Sequence, residues 1–183
     1  MGLYDSRRCY GWISIILHWL TAITVFALFA VGLWMVDLDY YSNWYKQAPH
    51  LHKSVGVILI LTVVFRICWR IKNVRPETPE SHHRWEKSSA KIAHFSLYAL
   101  LLFMLPSGYL ITTAKGQGLD VFNWFTIPSL ISGVDNLEDI AGELHELAAF
   151  GIIAIATLHG LGALKHHFID KDNTLRRMLG LVK

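Results

Sequence analysis

Four mainly apolar runs, near residues 12–35, 51–70, 92–112 and 144–164, fill almost half of the 183-residue chain and limit its fold more than any other feature. A helix needs about 20 such residues to cross a bilayer, and in hydrocarbon every backbone polar group must find its partner within the spanning structure. The expected architecture is therefore all-α: an integral membrane four-helix bundle, with residues 1–183 as a single domain. Composition agrees, since 53% of the residues are hydrophobic and the mean hydropathy is +0.35, too apolar for a soluble domain of this length. The first run is too long for a signal-peptide core and no small-residue cleavage site follows Met35, so it is expected to stay in the mature protein. Pro106, with Ser107 and Gly108 beside it, predicts a kink in the third span.

Charge then orients the spans. With four crossings both termini share a side, and 14 of the 17 lysines and arginines fall on that side or at its helix ends, leaving only Lys46, Lys53 and Lys115 opposite. The positive-inside rule places both termini in the cytoplasm. The opposite face carries eight carboxylates against three lysines, a net charge of −5.

Within this frame the histidines stand out. His145 and His159 lie fourteen residues apart on the fourth run, which on a helix means about 21 Å along the axis and a return to within roughly 40° of the same face. His18 on the first run matches His159 in depth, and His52 on the second matches His145. Two pairs at two levels, each drawn from different helices within apolar surroundings, suit two b-type haems, each of which takes an imidazole on either face. A porphyrin also needs room one turn along from each ligand. The residues at i+4 are Ala22, Gly56, Ala149 and Ala163, whereas Tyr98, Ser54 and Asp170 follow His94, His50 and His166. His94 is left without a partner at its level and reads as packing or a haem-edge donor. His82, His83, His166 and His167 read as solvent or headgroup contacts. Haem propionates call for cations, and Lys53 beside His52, with Arg66 and Arg70 at the other end of the second span, are the candidates. Trp and Tyr residues at span ends, Trp69 and Trp124 among them, fit the aromatic belt. Cys9 and Cys68 match no metal-binding spacing.

These residues carry a family resemblance. The stretches Ile16–Leu20 (ILHWL), Leu51–Gly56 (LHKSVG), Glu143–Ala148 (ELHELA) and Leu158–Met178, which includes LKHHFIDKDNTLRRM, closely resemble the bacterial cytochrome b561 membrane proteins, di-haem b cytochromes of four helices. The resemblance implies His18, His52, His145 and His159 as haem ligands, with the fourth helix serving both haems. The core is also similar to the cytochrome b subunits that connect hydrogenases and formate dehydrogenases to quinone.

The function expected is transmembrane electron transfer with the quinone pool of a respiratory chain, ubiquinone being the substrate the resemblance implies. One kind of family member is a superoxide oxidase that passes electrons from periplasmic superoxide to ubiquinone. Superoxide is an anion, however, and the acidic outer face opposes its approach. A haem-bearing membrane anchor for a partner dehydrogenase is the other alternative, with the long outer segment Leu119–Glu143 as its docking surface. A histidine-based metal transporter is disfavoured because the carboxylates lie in loops or at helix ends. No nucleotide-binding glycine loop or catalytic nucleophile is present and nothing points to nucleic acid, so the partners are lipid, quinone or quinol, and an external electron donor.

Overall fold

The computed structural model describes residues 2–77 and 82–182. Four long helices dominate: α1 (Trp12–Val36), α2 (Gln47–Lys72), α3 (Arg84–Thr113) and α4 (Leu137–Phe168). A short hairpin, β1 (Leu119–Val121) and β2 (Phe125–Ile127), precedes α4, and a one-turn α5 (Thr174–Met178) follows it. All four long helices are apolar enough to cross a membrane, with mean hydropathy of 1.6 to 2.1 over their best windows. Their apolar side chains largely face outward: Ile23 is 65% exposed, Phe95 75% and Leu158 68%. In water such a surface would aggregate; against lipid tails it is the natural exterior.

The helices overrun the expected spans, α2 starting at Gln47, α3 at Arg84 and α4 at Leu137. Hydropathy registers only the apolar part, whereas polar residues such as Glu138 and Asp139 continue α4 outward and suit the positive end of its dipole. Local side chains bind the backbone at the entry to α1 and beside the break in α3. The Asp5 carboxylate accepts hydrogen bonds from Gly11 N–H (2.6 Å) and Ser14 Oγ (2.8 Å) at the entry to α1. Pro106 removes an amide from α3, and the Ser107 hydroxyl donates to the carbonyls of Phe103 and Met104 at 3.0 and 3.2 Å.

By contacts the chain forms two compact units whose boundaries fall within the long helices. The first comprises Met1–Ala22, Thr62–Tyr98 and Ala154–Lys183, the second Ile23–Leu61 and Ala99–Ile153. In the first unit Trp69 leaves the role of a belt residue: its ring stacks on Tyr4 at 5.4 Å and its N–H donates to Ser14 Oγ. The Trp19 indole N–H reaches the Met178 carbonyl at 2.8 Å and so ties α5 to α1.

In the second unit the long outer segment is partly ordered by the hairpin. Its two strands pair antiparallel, Leu119 with Ile127 and Val121 with Phe125. Leu119 and Val121 are buried in a cluster with Val57 of α2. The turn needs positive φ at both central residues, Phe122 (51°) and Asn123 (57°), a type I′ geometry usually built from Asn and Gly. Phe122 is held there because its amide donates to Ser54 Oγ at 2.9 Å and its ring packs on the Val57 cluster.

Candidate functional site: two histidine pairs

The first unit brings His18 of α1 and His159 of α4 together, ring centroids 6.4 Å apart and planes at 66°. The second does the same for His52 of α2 and His145 of α4, at 6.4 Å and 64°. Two imidazoles bound through nitrogen to opposite sides of one first-row metal, at about 2 Å per bond, put their centroids about 6.3 Å apart. Each pair thus has the spacing that a six-coordinate iron requires.

The neighbours of the pairs differ. Around the first, Arg66 Nη2 lies 2.8 Å from His18 Nδ1, and since guanidinium only donates, Nδ1 is the acceptor. The Arg66 and Arg70 guanidinium groups lie 5.6 and 6.0 Å from the Tyr98 ring centroid. His94, expected to pack or to serve the haem edge, has its ring 5.0 Å from that of His159. That spacing is too short to bracket a metal and suits an edge contact, which leaves His18 as the partner of matching distance.

Around the second pair, His145 Nδ1 lies 3.0 Å from Ser107 Oγ. The single hydroxyl proton of Ser107 goes to the α3 carbonyls, so Oγ receives the Nδ1 proton of His145 and leaves Nε2 with a free lone pair. His52 Nδ1 is buried without a protein partner. Two glycines press on the rings: a Cβ on Gly108 would stand 3.1 Å from His145 Cε1, and one on Gly32 3.4 Å from His52 Cε1. Beside Gly56, the i+4 neighbour of His52, no atom would meet a Cβ within 4 Å; Gly142, Gly160 and Gly162 share that property, so it does not single Gly56 out.

Lys53, next to His52, is half-buried, while His50 Nδ1 lies 3.7 Å from Asp120. Gly32, Gly108 and Ser107 escaped the sequence reading as ring contacts; for Ser107 and Gly108 the only signal was their place beside Pro106, and Gly32 had none. The reading of His82 and His166 as solvent or headgroup contacts is corrected. Their rings stack at 4.0 Å and each bonds a carboxylate, His82 to Asp172 and His166 to Asp170, both at 2.6 Å. Proximity in space, invisible to span counting, draws the residues after α4 onto the start of α3.

Four helices apolar enough to cross a membrane, with imidazoles paired between them, define a multi-pass membrane protein. The chain matches the family described as prokaryotic cytochrome b561 over residues 9–181, and it belongs to that family. It is 46% identical to Cytochrome b561 homolog 2 of Escherichia coli (strain K12) over 180 residues, 98% of this chain and 96% of that protein. More distant relatives are Probable superoxide oxidase CybB of Yersinia pestis, 26% identical over 94% of this chain and 97% of that protein, and Cytochrome b561 homolog 1 of Escherichia coli (strain K12), 25% identical over 91% and 94%. Membership makes this a haem-binding, electron-transporting multi-pass protein of a bacterial membrane.

Proposed function

We propose that the chain carries electrons across the bacterial inner membrane through two haems b, one held by His18 and His159 and the other by His52 and His145, and exchanges them with the quinone pool. The single observation behind this reading is that both imidazole pairs stand at the same 6.4 Å. Haem b supplies reversible one-electron chemistry at iron. The residues do the rest. His145 is held by Ser107 in the tautomer whose Nε2 can ligate, and Gly32 and Gly108 admit the rings of the second pair close to the backbone. The four histidines would hold the two groups, which would supply one-electron transfer without substrate binding at iron. Arg66, Arg70 and Lys53 supply positive charge for the cofactor carboxylates. The lysine and arginine distribution supports cytoplasmic termini.

The test is the dithionite-reduced minus oxidised spectrum of detergent-purified protein together with a pyridine haemochrome count. Two haems b per chain are expected in wild type and about one in each of His159→Ala and His52→Ala. A wild type with one haem, or single variants that retain both, would overturn the ligand assignment.

The name of the Yersinia pestis relative favours a second reading, superoxide oxidation coupled to quinone reduction. The net −5 charge assigned to the outer face argues against it, as does the engagement of Lys115 with Glu138 at 2.6 Å. Stopped-flow mixing of oxidised protein with superoxide decides: haem reduction near the diffusion limit supports oxidase activity, and slow reduction leaves quinol-linked transfer.

A further inference from the structure

Apart from the paired imidazoles, the first unit gathers a second set of ligating groups where the residues after α4 fold back on the start of α3. His82 Nε2 lies 2.6 Å from Asp172 Oδ2, His166 Nδ1 lies 3.6 Å from the same oxygen, and one ligating atom from each of the three residues falls within 4.8 Å of the others. Tetrahedral coordination at about 2.1 Å per bond asks for ligand separations of about 3.4 Å; His166 and Asp172 stand close to that at 3.6 Å, while His82 would draw back from its 2.6 Å hydrogen-bond distance as the ion enters. The three side chains are well covered, at 9%, 13% and 9% exposure for His82, His166 and Asp172.

The local backbone presents these groups. Lys171 adopts φ of 54°, a left-handed conformation that non-glycine residues rarely take. It turns the chain so that the Asp172 amide donates to the His166 carbonyl at 3.0 Å. The Thr174 amide then holds Asp172 Oδ1 at 2.7 Å, leaving Oδ2 directed at the two rings. Such outer contacts are what orient a metal-ligating carboxylate.

Charge supplies the second argument. Asp170 and Glu86 share the ammonium of Lys165, which bonds Glu86 at 2.6 Å and Asp170 at 2.7 Å, and Asp172 joins the group through His166. With neutral imidazoles the group has two negative charges in excess. Protonating both rings would balance it only by stacking two imidazolium cations at 4.0 Å. One divalent cation balances it with neutral rings as ligands. We propose that His82, His166 and Asp172 form a binding site for one divalent first-row transition ion of the Zn(II) type, which pins the segment entering α3 to the residues beyond α4. Two imidazoles and one carboxylate select such an ion over Mg(II) or Ca(II), which take all-oxygen shells. Asp170 and Glu86, held by Lys165, form the acidic surround.

The test uses the full-length, haem-loaded protein in detergent, carrying no polyhistidine tag, stripped with a chelator and titrated calorimetrically with Zn(II). One equivalent is expected to bind at micromolar affinity or tighter. His82→Gln and Asp172→Asn are each expected to weaken binding at least tenfold, whereas His83→Gln at the exposed neighbouring position leaves it unchanged, with haem content the same in all. Should Asp172→Asn fold poorly, His82→Gln decides. A readout on wild type alone is added: Zn(II) should slow tryptic cleavage at Arg84 and Lys171. Absence of a stoichiometric site in wild type, or affinity undiminished in the folded variants, would overturn the proposal and leave a network of ion pairs. Because haem content is counted separately, the outcome is independent of the haem-ligand assignment.

Discussion

In the second unit the His145 ring gives its Nδ1 proton to Ser107, while in the first the His18 ring receives one from Arg66, although both pairs hold their centroids 6.4 Å apart. Equal spacing follows from helices that carry the rings at matched levels; the proton does not. A neutral imidazole has one N–H, so an accepting Nδ1 leaves the proton on Nε2, and a donating Nδ1 leaves Nε2 free. The second pair is thus set for a metal at His145, and its rings are fixed by close backbone at Gly32 and Gly108. The first pair is flanked by the Arg66 guanidinium and a third imidazole, His94, and to ligate through Nε2, His18 must exchange its Arg66 contact. Helix geometry thus sets the spacing of the rings, while single neighbours decide how closely each pair is held and how much positive charge faces it.

The largest expected effect strikes the rigid site alone. In Gly108→Val the added carbons start 3.1 Å from His145 Cε1, and the neighbour is a ring held between two helices rather than a flexible chain end. Overpacking of this kind costs about 1–3 kcal/mol, so affinity for the second haem is expected to fall roughly tenfold to a hundredfold. The haem count should drop toward one per chain, with the His18/His159 centre unchanged. Gly32→Ala, starting from 3.4 Å, should have a smaller effect in the same direction. Full haem content in Gly108→Val would mean that the second site is as adaptable as the first.

The degree to which this was legible in the sequence varies by feature. The four spans were legible because lipid makes apolar length decisive, and the pairing of His18 with His159 and of His52 with His145 followed from depth alone. The close distances that result were not readable. Ser107 and Gly108 act across helices, and nothing in a span pattern says which face of α3 meets α4. The hairpin was hidden because its turn carries Phe122 and Asn123 where an Asn-Gly signal was to be expected, and a contact to Ser54, 68 positions away, holds it. The cluster of His82, His166, Asp170 and Asp172 was hidden for the same reason: adjacent histidines after a span look like interfacial residues until the chain is seen to turn back at Lys171.

A medium effect is expected from Arg66→Met, which tests the electropositive side of the comparison. Removing a cation beside a haem disfavours the reduced form, whose charge is lower by one. The midpoint potential of the first-unit centre should fall, on the order of 60 mV for a tenfold change in a one-electron equilibrium, while the second-unit centre stays fixed. Potentiometric titration resolves the two when combined with His52→Ala, which leaves only the first. An unchanged potential would show that Arg66 belongs to His18 and not to the field of the cofactor.

The smallest effect separates the two units by pH, outside the spans. Asp170 lies below the ordinary carboxylate range, first because Lys165 donates to it and further because of His166. Burial pushes Asp172 upward, but the Thr174 amide and His82 outweigh it and that carboxyl is also depressed. A depressed carboxyl contributes stability above its unfolded pKa of about 3.9 and loses it as pH falls through the folded value. Lys115 shows the opposite case: the hydrogen bond it donates to Glu138 raises it, so its contribution is complete below its unfolded pKa of about 10.4 and fades as pH rises through the folded one. Lys115 and Asp170 are near solvent, so their shifts are screened and the effects small. In chelator-treated protein, hydrogen exchange corrected for intrinsic rate should show steady protection of residues 165–178 from pH 8 to 5. That protection should loosen below about pH 4, while 114–138 should loosen only in strong alkali. Asp170→Asn should remove part of the acid response without touching the alkaline one. Loss of both regions together in acid would mean that global unfolding, not the Lys165 and Asp170 contact, governs the response.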